Sequence, residues 1–259
     1  VAFDFLLSDM HHYFYVFARV LGLFLGMPFL SQIEIPFKFR AVACAVLTFA
    51  FNPLVPDDYF PENLAPVQAF VRFSVEFLLG LFLGLIARFA LAAVEFAGNL
   101  ISFASGLSMA VMYNPSQSSQ GSIVSVFLSM AAVTIFLVVD GHHYLLENLL
   151  KTYTIFSNHW FNWDSKLLPD LFKGILDLSD GFFRAGLSMS IPFLLVNSVL
   201  QIGLGIIGKL VPQVQVFFLS MSLQVVIGWL ILMICLGTIL LNYEKLTLSM
   251  YVMAGLDHG

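Results

Sequence analysis

Charge falls along this chain in clusters, and the stretches between clusters are apolar. They predict six membrane-type helices: Tyr13–Leu30, broken only by Arg19; Ala41–Pro56; Phe73–Phe96, which carries Glu76, Arg88 and Glu95; Ile123–Val139; Ala185–Gly208; and Val214–Leu241. A helix needs about 20 predominantly apolar residues to cross the hydrocarbon of a bilayer. Six such segments predict three hairpins. From Phe96 to Val139 there is no Asp, Glu, Lys, Arg or His, yet the middle of that stretch, NPSQSSQGS, is polar. It is too long for one span and divides into a helix end, a neutral loop and the fourth segment.

Between the fourth and fifth segments lies the longest hydrophilic stretch, Asp140–Arg184. Within it Leu168, Leu171, Phe172, Ile175 and Leu176 recur at helical spacing, while Asp170, Lys173, Asp177 and Asp180 fall mainly elsewhere. An amphipathic helix with Trp160 and Trp163 nearby suits a membrane interface or the surface of a partner protein. Lys38, Arg40, Arg88 and Lys209 share one side if all six segments span, opposite the acidic loop Asp57, Asp58 and Glu62. By the positive-inside rule that pattern puts the N-terminus outside, although Lys151 and Arg184 pull the other way.

Composition excludes the soluble classes. Of 259 residues, 59% are hydrophobic and 10% are charged, against about 25% charged in an ordinary globular chain. The mean hydropathy is +0.92. Eleven basic and 16 acidic residues are too few to clothe a soluble sphere, and the net charge of −5 argues against a nucleic-acid footprint. Lipid is the expected solvent for much of the surface. The chain opens VAFDFLLSDMHH, with no basic run and no small-residue cleavage site after its first apolar stretch, so that stretch is expected to remain in the mature protein. Cys44 and Cys235 sit singly inside apolar runs and read as small packing residues.

Few motifs carry chemistry. Gly203–Gly208 reads GLGIIG, a formal dinucleotide fingerprint, but it lacks the preceding strand and the acidic residue about 20 positions on that the fold requires. Gly203 and Gly208 read better as helix-packing positions. So do the GxxxG pairs Gly22–Gly26 and Gly80–Gly84, whose small residues permit close helix approach within the chain or with another subunit. Histidine occurs as the pairs His11–His12 and His142–His143, and adjacent residues on a helix point about 100° apart, which makes a pair a poor chelator. No metal site, cofactor or catalytic spacing is expected. Intramembrane charge is more informative, because each such residue costs a few kcal/mol at a helix centre on insertion scales. Arg72 and Glu76 are four apart and can pair on one face. Arg19 and Arg88 have no local partner, and need an acid from another helix or chain, headgroups, or a watery cavity.

The neutral loop Gly106–Ser122 (GLSMAVMYNPSQSSQGS) is the most unusual feature. Irregular polar backbone at membrane depth is tolerated only where protein buries it or where it lines a cavity. Composition therefore favours a re-entrant or pore-obstructing loop over an ordinary external connection.

These pieces form an ordered set: Ala18-Arg19-Val20, Met27-Pro28-Phe29, Gly80-Leu-Phe-Leu-Gly84 with Arg88, Glu95-Phe-Ala-Gly98, Gly106-Leu-Ser-Met, Asn114-Pro115-Ser116-Gln117, Asp140-Gly141-His142, and Val211-Pro212-Gln213-Val214-Gln215. Together they resemble the FliR family of flagellar export-gate proteins and its virulence-secretion counterparts (SpaR and YscT types) over almost the whole length. Asn114 stands where the family typically has an acid, and Gln215 where it has Asn, so the chain looks like a divergent member. The Asp-Gly-His run favours the flagellar branch.

The resemblance implies an all-α, polytopic membrane protein built of bent helical hairpins. A FliP-like part would occupy residues 1–182 and a FliQ-like hairpin residues 183–259, in one export-gate domain. It implies assembly with FliP and FliQ homologues, and with FlhB, into the core gate of a type III secretion apparatus in the bacterial inner membrane, at the flagellar basal body. Unfolded flagellar proteins would pass through that gate, moved by partner proteins and the proton motive force. Residues Gly106, Met109, Met112, Asn114, Pro115, Gln117, Gln120 and Gly121 would belong to a plug in its channel. A competing reading of another class is a small secondary transporter with a site between broken helices, which would fit the Gly- and Pro-interrupted segments and the intramembrane charges. It predicts internal repeats that the two halves do not display, and function without heteromeric partners. A membrane enzyme ranks third, for want of any catalytic spacing.

Overall fold

The computed structural model describes residues 2–27, 36–56, 65–108, 122–155, 167–210 and 216–253. Among them the regular structure is helical. Helix α1 is Ala2–Gly26 and α2 is Phe37–Phe51, continued by a 3-10 turn at Asn52–Leu54. Then follow α3 (Pro66–Ala104), α4 (Ile123–Val138), α5 (Gly141–Ile155), α6 (Leu167–Leu210) and α7 (Val216–Met253). The all-α expectation holds.

The count of spans differs from the expected six. By length and composition, three helices among the described residues can cross a membrane: Pro66–Ala104, Phe172–Leu210 and Ser220–Thr247. A fourth exists if Ile123–Val138 and Gly141–Tyr153 act as one broken span. Helix α2 has 15 residues, about 22 Å at 1.5 Å per residue, which is short of a hydrocarbon core of about 30 Å. Cutting the sequence at charges also shortened the long helices. Helix α3 begins before the expected Phe73 and runs through Arg72 for 39 residues in all, because that charge is paired with Glu76 inside the protein. The expected amphipathic helix is the first part of α6, continuous with the fifth segment over 44 residues. Pro192 lies inside α6. Having no N–H, it leaves the carbonyl four residues back without its helical donor.

Helix α5 falls in the stretch expected to be mainly hydrophilic. Its buried residues Leu145, Asn148, Leu149, Thr152 and Tyr153 repeat at three and four, the signature of one helical face. The cut between α4 and α5 is made at Asp140, which has a φ of 57°. The hydroxyl of Ser122 accepts the Ser125 N–H at 3.2 Å, and the Ser122 carbonyl accepts the Val126 N–H at 2.9 Å. Ser122 is thus the N-cap of α4.

The chain packs as two compact units. The first comprises Val1–Phe89, Val139–Leu176 and Tyr251–Gly259. Its core is Val16, Val20 and Leu23 of α1, Leu79, Leu83 and Ile86 of α3, and Leu145 and Leu149 of α5. Helix α2 contributes Cys44 to that unit, a buried free thiol, and the ring of its Phe49 lies 5.2 Å from Tyr13. The second unit comprises Ala90–Val138 and Asp177–Met250. Its core is Ala90, Ala93, Val94, Ala97 and Ile101 of α3, Val124, Leu128 and Ala132 of α4, Phe193 of α6 and Leu232 of α7. These units divide α3 and α6 in mid-course. They describe where packing is dense, which is a separate question from the FliP-like and FliQ-like parts expected from resemblance.

Candidate functional site

In the first unit α1 and α3 meet along a glycine seam. A Cβ placed on Gly26 would lie 2.6 Å from Gly84 Cα, and one on Gly84 would lie 2.6 Å from Gly26 Cα. A Cβ on Gly22 would collide with the backbone of Phe77, Gly80 and Leu81, and one on Gly80 with the Arg19 carbonyl. Contact order rises together on both helices, so they run parallel here. Backbones this close exclude any side chain at the four positions, and the sequence places its two GxxxG pairs at those points.

The same close approach assembles the buried charges. Arg19, fully buried, donates from Nε to Glu76 Oε2 at 2.7 Å and from Nη1 to Thr152 Oγ1 at 2.8 Å. Its Nη2 is paired with the same carboxylate oxygen. The guanidinium carbon lies 3.8 Å from the centre of the Tyr153 ring, a cation–π contact made away from water. Arg72 Nε sits 3.1 Å from Glu76 Oε1, near enough for attraction but outside hydrogen-bonding alignment. The Thr152 hydroxyl in turn donates a hydrogen bond to the Leu149 carbonyl at 2.6 Å. One carboxylate therefore holds two guanidinium groups, and this side-chain cluster ties α5 to α1 and α3. The i,i+4 pair was legible in sequence; the partner of Arg19, 57 residues away, was not. Arg88 is exposed.

In the second unit the roots of the neutral loop are held by small residues. Gly106 has a φ of 71°, a left-handed conformation that favours glycine. A Cβ there would lie 3.0 Å from Gln224 Oε1, and Gln224 is itself buried. A Cβ on Gly228 of α7 would lie 2.6 Å from Ser105 Cβ. On the far side of the loop, a Cβ on Gly98 would lie 2.5 Å from Ser125 Cα, just after the Ser122 cap. Helices α3, α4 and α7 thus grip both ends of the loop. Met109, Met112, Asn114, Pro115, Gln117, Gln120 and Gly121 lie outside the described residues.

Gly203 and Gly208 lie inside α6. A continuous helix is not the strand–turn–helix of a dinucleotide site, so GLGIIG has no phosphate-binding geometry here. Nothing lies within 4 Å of a Cβ placed on Gly203, and Gly208 is half-buried. Asp140, His142 and His143 do converge at the start of α5, a grouping that sequence spacing missed.

The family model for bacterial export proteins, family 1, matches residues 10–250. The chain belongs to this family. Export proteins of family 1 similar to it include the flagellar biosynthetic protein FliR of Caulobacter vibrioides, 28% identical over 228 residues, 86% of this chain and 88% of that one. The FliR protein of Escherichia coli is 27% identical over 225 residues, 86% of this chain and 83% of its own length. That of Aquifex aeolicus is 29% identical over 248 residues, 93% and 90% of the two chains. The family match runs through the glycine seam, the buried charges and both roots of the loop. A FliR-family protein of flagellar export, carrying apolar helices long enough to cross a membrane, is what these findings establish.

Proposed function

We propose that this chain is a subunit of the core export gate of a flagellar type III secretion apparatus in the bacterial inner membrane. It would pack there with FliP and FliQ homologues, beside FlhB, around a channel for unfolded flagellar proteins. The observation that carries the reading is the neutral loop between fixed roots. Its roots, Ser105–Gly106 and Ser122, are held by glycine contacts and a helix cap, while its sequence offers Ser, Gln, Gly and Met without a charge. Such side chains can seal a pore without gripping a passing polypeptide. With its roots held in this way, the span between them would be able to move aside while the surrounding helices stay packed. The proposed role is a plug that moves aside during transport.

Deleting Met112–Gln120 tests this. The deleted chain is expected to assemble normally and to raise ion conductance across the membrane. A gate that remains as tight as the parent ends the plug assignment. Co-purification from mild detergent separates the gate from the transporter reading. A heteromeric complex with other small membrane proteins is expected of a gate, and a functional monomer or simple homo-oligomer of a transporter.

A further inference from the structure

The start of α5 gathers three metal-binding side chains. Asp140 stands between α4 and α5 in the left-handed region, with a φ of 57°, the single non-glycine residue with positive φ among the described residues. That conformation is disfavoured for residues carrying a Cβ, and Asp tolerates it better than most. From there its carbonyl accepts the N–H groups of His143 at 2.9 Å and Tyr144 at 3.2 Å, which starts α5. Its carboxylate turns back over the first helical turn, placing Oδ1 3.3 Å from His143 Nδ1. The His142 and His143 rings lie against one another, their centroids 4.2 Å apart. One carboxylate oxygen and one nitrogen from each ring all lie within 4.8 Å of one another.

We propose that Asp140, His142 and His143 form a site for a divalent metal ion of the zinc class. Ligands about 2.0–2.1 Å from a tetrahedral Zn²⁺ stand about 3.3–3.4 Å apart. The Asp140–His143 spacing already has that value, and the His142 donor, within 4.8 Å of both, reaches it by turning its ring out of the stack with His143. Two imidazoles and one carboxylate suit Zn²⁺ and its neighbours in the first transition row over Ca²⁺ or Mg²⁺, which take oxygen ligands. A second observation concerns the hydrogen-bond inventory. His142 Nδ1 is buried with no hydrogen-bond partner, so this ring has a nitrogen that the protein itself leaves unused. Asp140 and His143 are largely exposed, which leaves the remaining coordination position open to water or to a donor from another molecule. Neighbouring helical residues point about 100° apart, yet here ring nitrogens of His142 and His143 and the carboxylate of Asp140, which precedes the helix, lie within 4.8 Å of one another.

The experiment uses the full chain, without a histidine tag, purified in mild detergent and stripped with chelator. Zn²⁺ alone is titrated by calorimetry, and thermal unfolding is followed with and without the metal. The parent is expected to take one Zn²⁺ per chain and to unfold at a higher temperature with it. Asp140→Asn keeps a side-chain acceptor beside His143 while removing the charge. It, His142→Gln and His143→Gln are each expected to weaken binding by about tenfold or more, the scale on which zinc sites respond even to loss of an outer partner. His11→Ala/His12→Ala is expected to bind like the parent. A parent chain that takes no Zn²⁺ overturns the proposal. So does equal affinity in the three site variants, or loss of binding in the His11/His12 variant alone.

Discussion

Helix α3 and the pair α6–α7 are all long and apolar, yet the chain treats them differently. In the spanning window of α3, 56% of residues are buried within the chain; in those of Phe172–Leu210 and Ser220–Thr247 the shares are 11% and 22%. Helix α3 presents glycines and alanines to its neighbours, so its backbone is covered closely by α1 and α4. Helix α6 instead leaves Leu195, Val199, Ile202, Ile206 and Leu210 exposed. Hydropathy records what a helix must be kept from, which is water. It does not record whether the cover comes from the chain itself, from lipid or from another subunit. In α3, self-cover is specific enough to accommodate two buried charges, Arg72 and Glu76, beside Arg19 of α1. The outer faces of α6 and α7 are apolar without such devices, as suits surfaces completed by something outside the chain.

Removing the charge cluster should have the largest effect. Arg19→Ala leaves Glu76 with Arg72 alone and opens a space beside Tyr153, and breaking a buried ion pair from one side costs about 3–5 kcal/mol. Thermal unfolding in detergent should show a large drop, and Arg19→Ala combined with Glu76→Ala should lose less than the sum of the single changes. If Arg19→Ala unfolds with the parent, α3 is not held by its charges. Gly84→Val comes next. Its side chain enters the seam against Gly26, and overpacking costs about 1–3 kcal/mol, more where backbone stands in the way. A well-folded Gly84→Val chain would contradict the close approach of α1 and α3.

Ser122→Ala should cost about 1 kcal/mol through the lost cap of α4. Ser122→Asp, which restores an acceptor, should recover most of the loss in the same melts. Gly203→Ala should be the mildest. Its side chain enters open space in this chain, and alanine is favoured over glycine within a helix by about 1 kcal/mol. The isolated chain should therefore be unchanged or slightly more stabilised. If Gly203→Ala still abolishes motility, a neighbouring molecule approaches the backbone there, and the contrast with the α3 seam becomes one of partner rather than of packing.

The legible parts of the fold were those governed by local spacing. The bounds of α4 follow from the apolar run Ile123–Val139; its serine cap at Ser122 emerged only with the structure. Arg72 and Glu76 pair because residues four apart share a helix face. Both GxxxG pairs stand at the α1–α3 seam, although nothing in the sequence says that they face each other. The bounds of α3 and α6 were less legible, because a charge was read as a helix end when it was a paired or exposed position along one helix. Helix α5 was missed because its polar half, His142, His143, Glu147 and Lys151, hid the buried stripe from Leu145 to Tyr153.

What the sequence by itself determined is the solvent class, the all-helical architecture, the neutral loop and the family. Each depends on composition or on residues near one another along the chain. Tertiary structure alone decided that Arg19 meets Glu76, that Thr152 and Tyr153 complete their surroundings, and that Gln224 and Gly228 hold the root of a loop more than a hundred residues earlier. Periodicity says which way a side chain faces around its own helix. Which helix stands opposite is decided by how the whole set packs, once small residues allow backbones to touch.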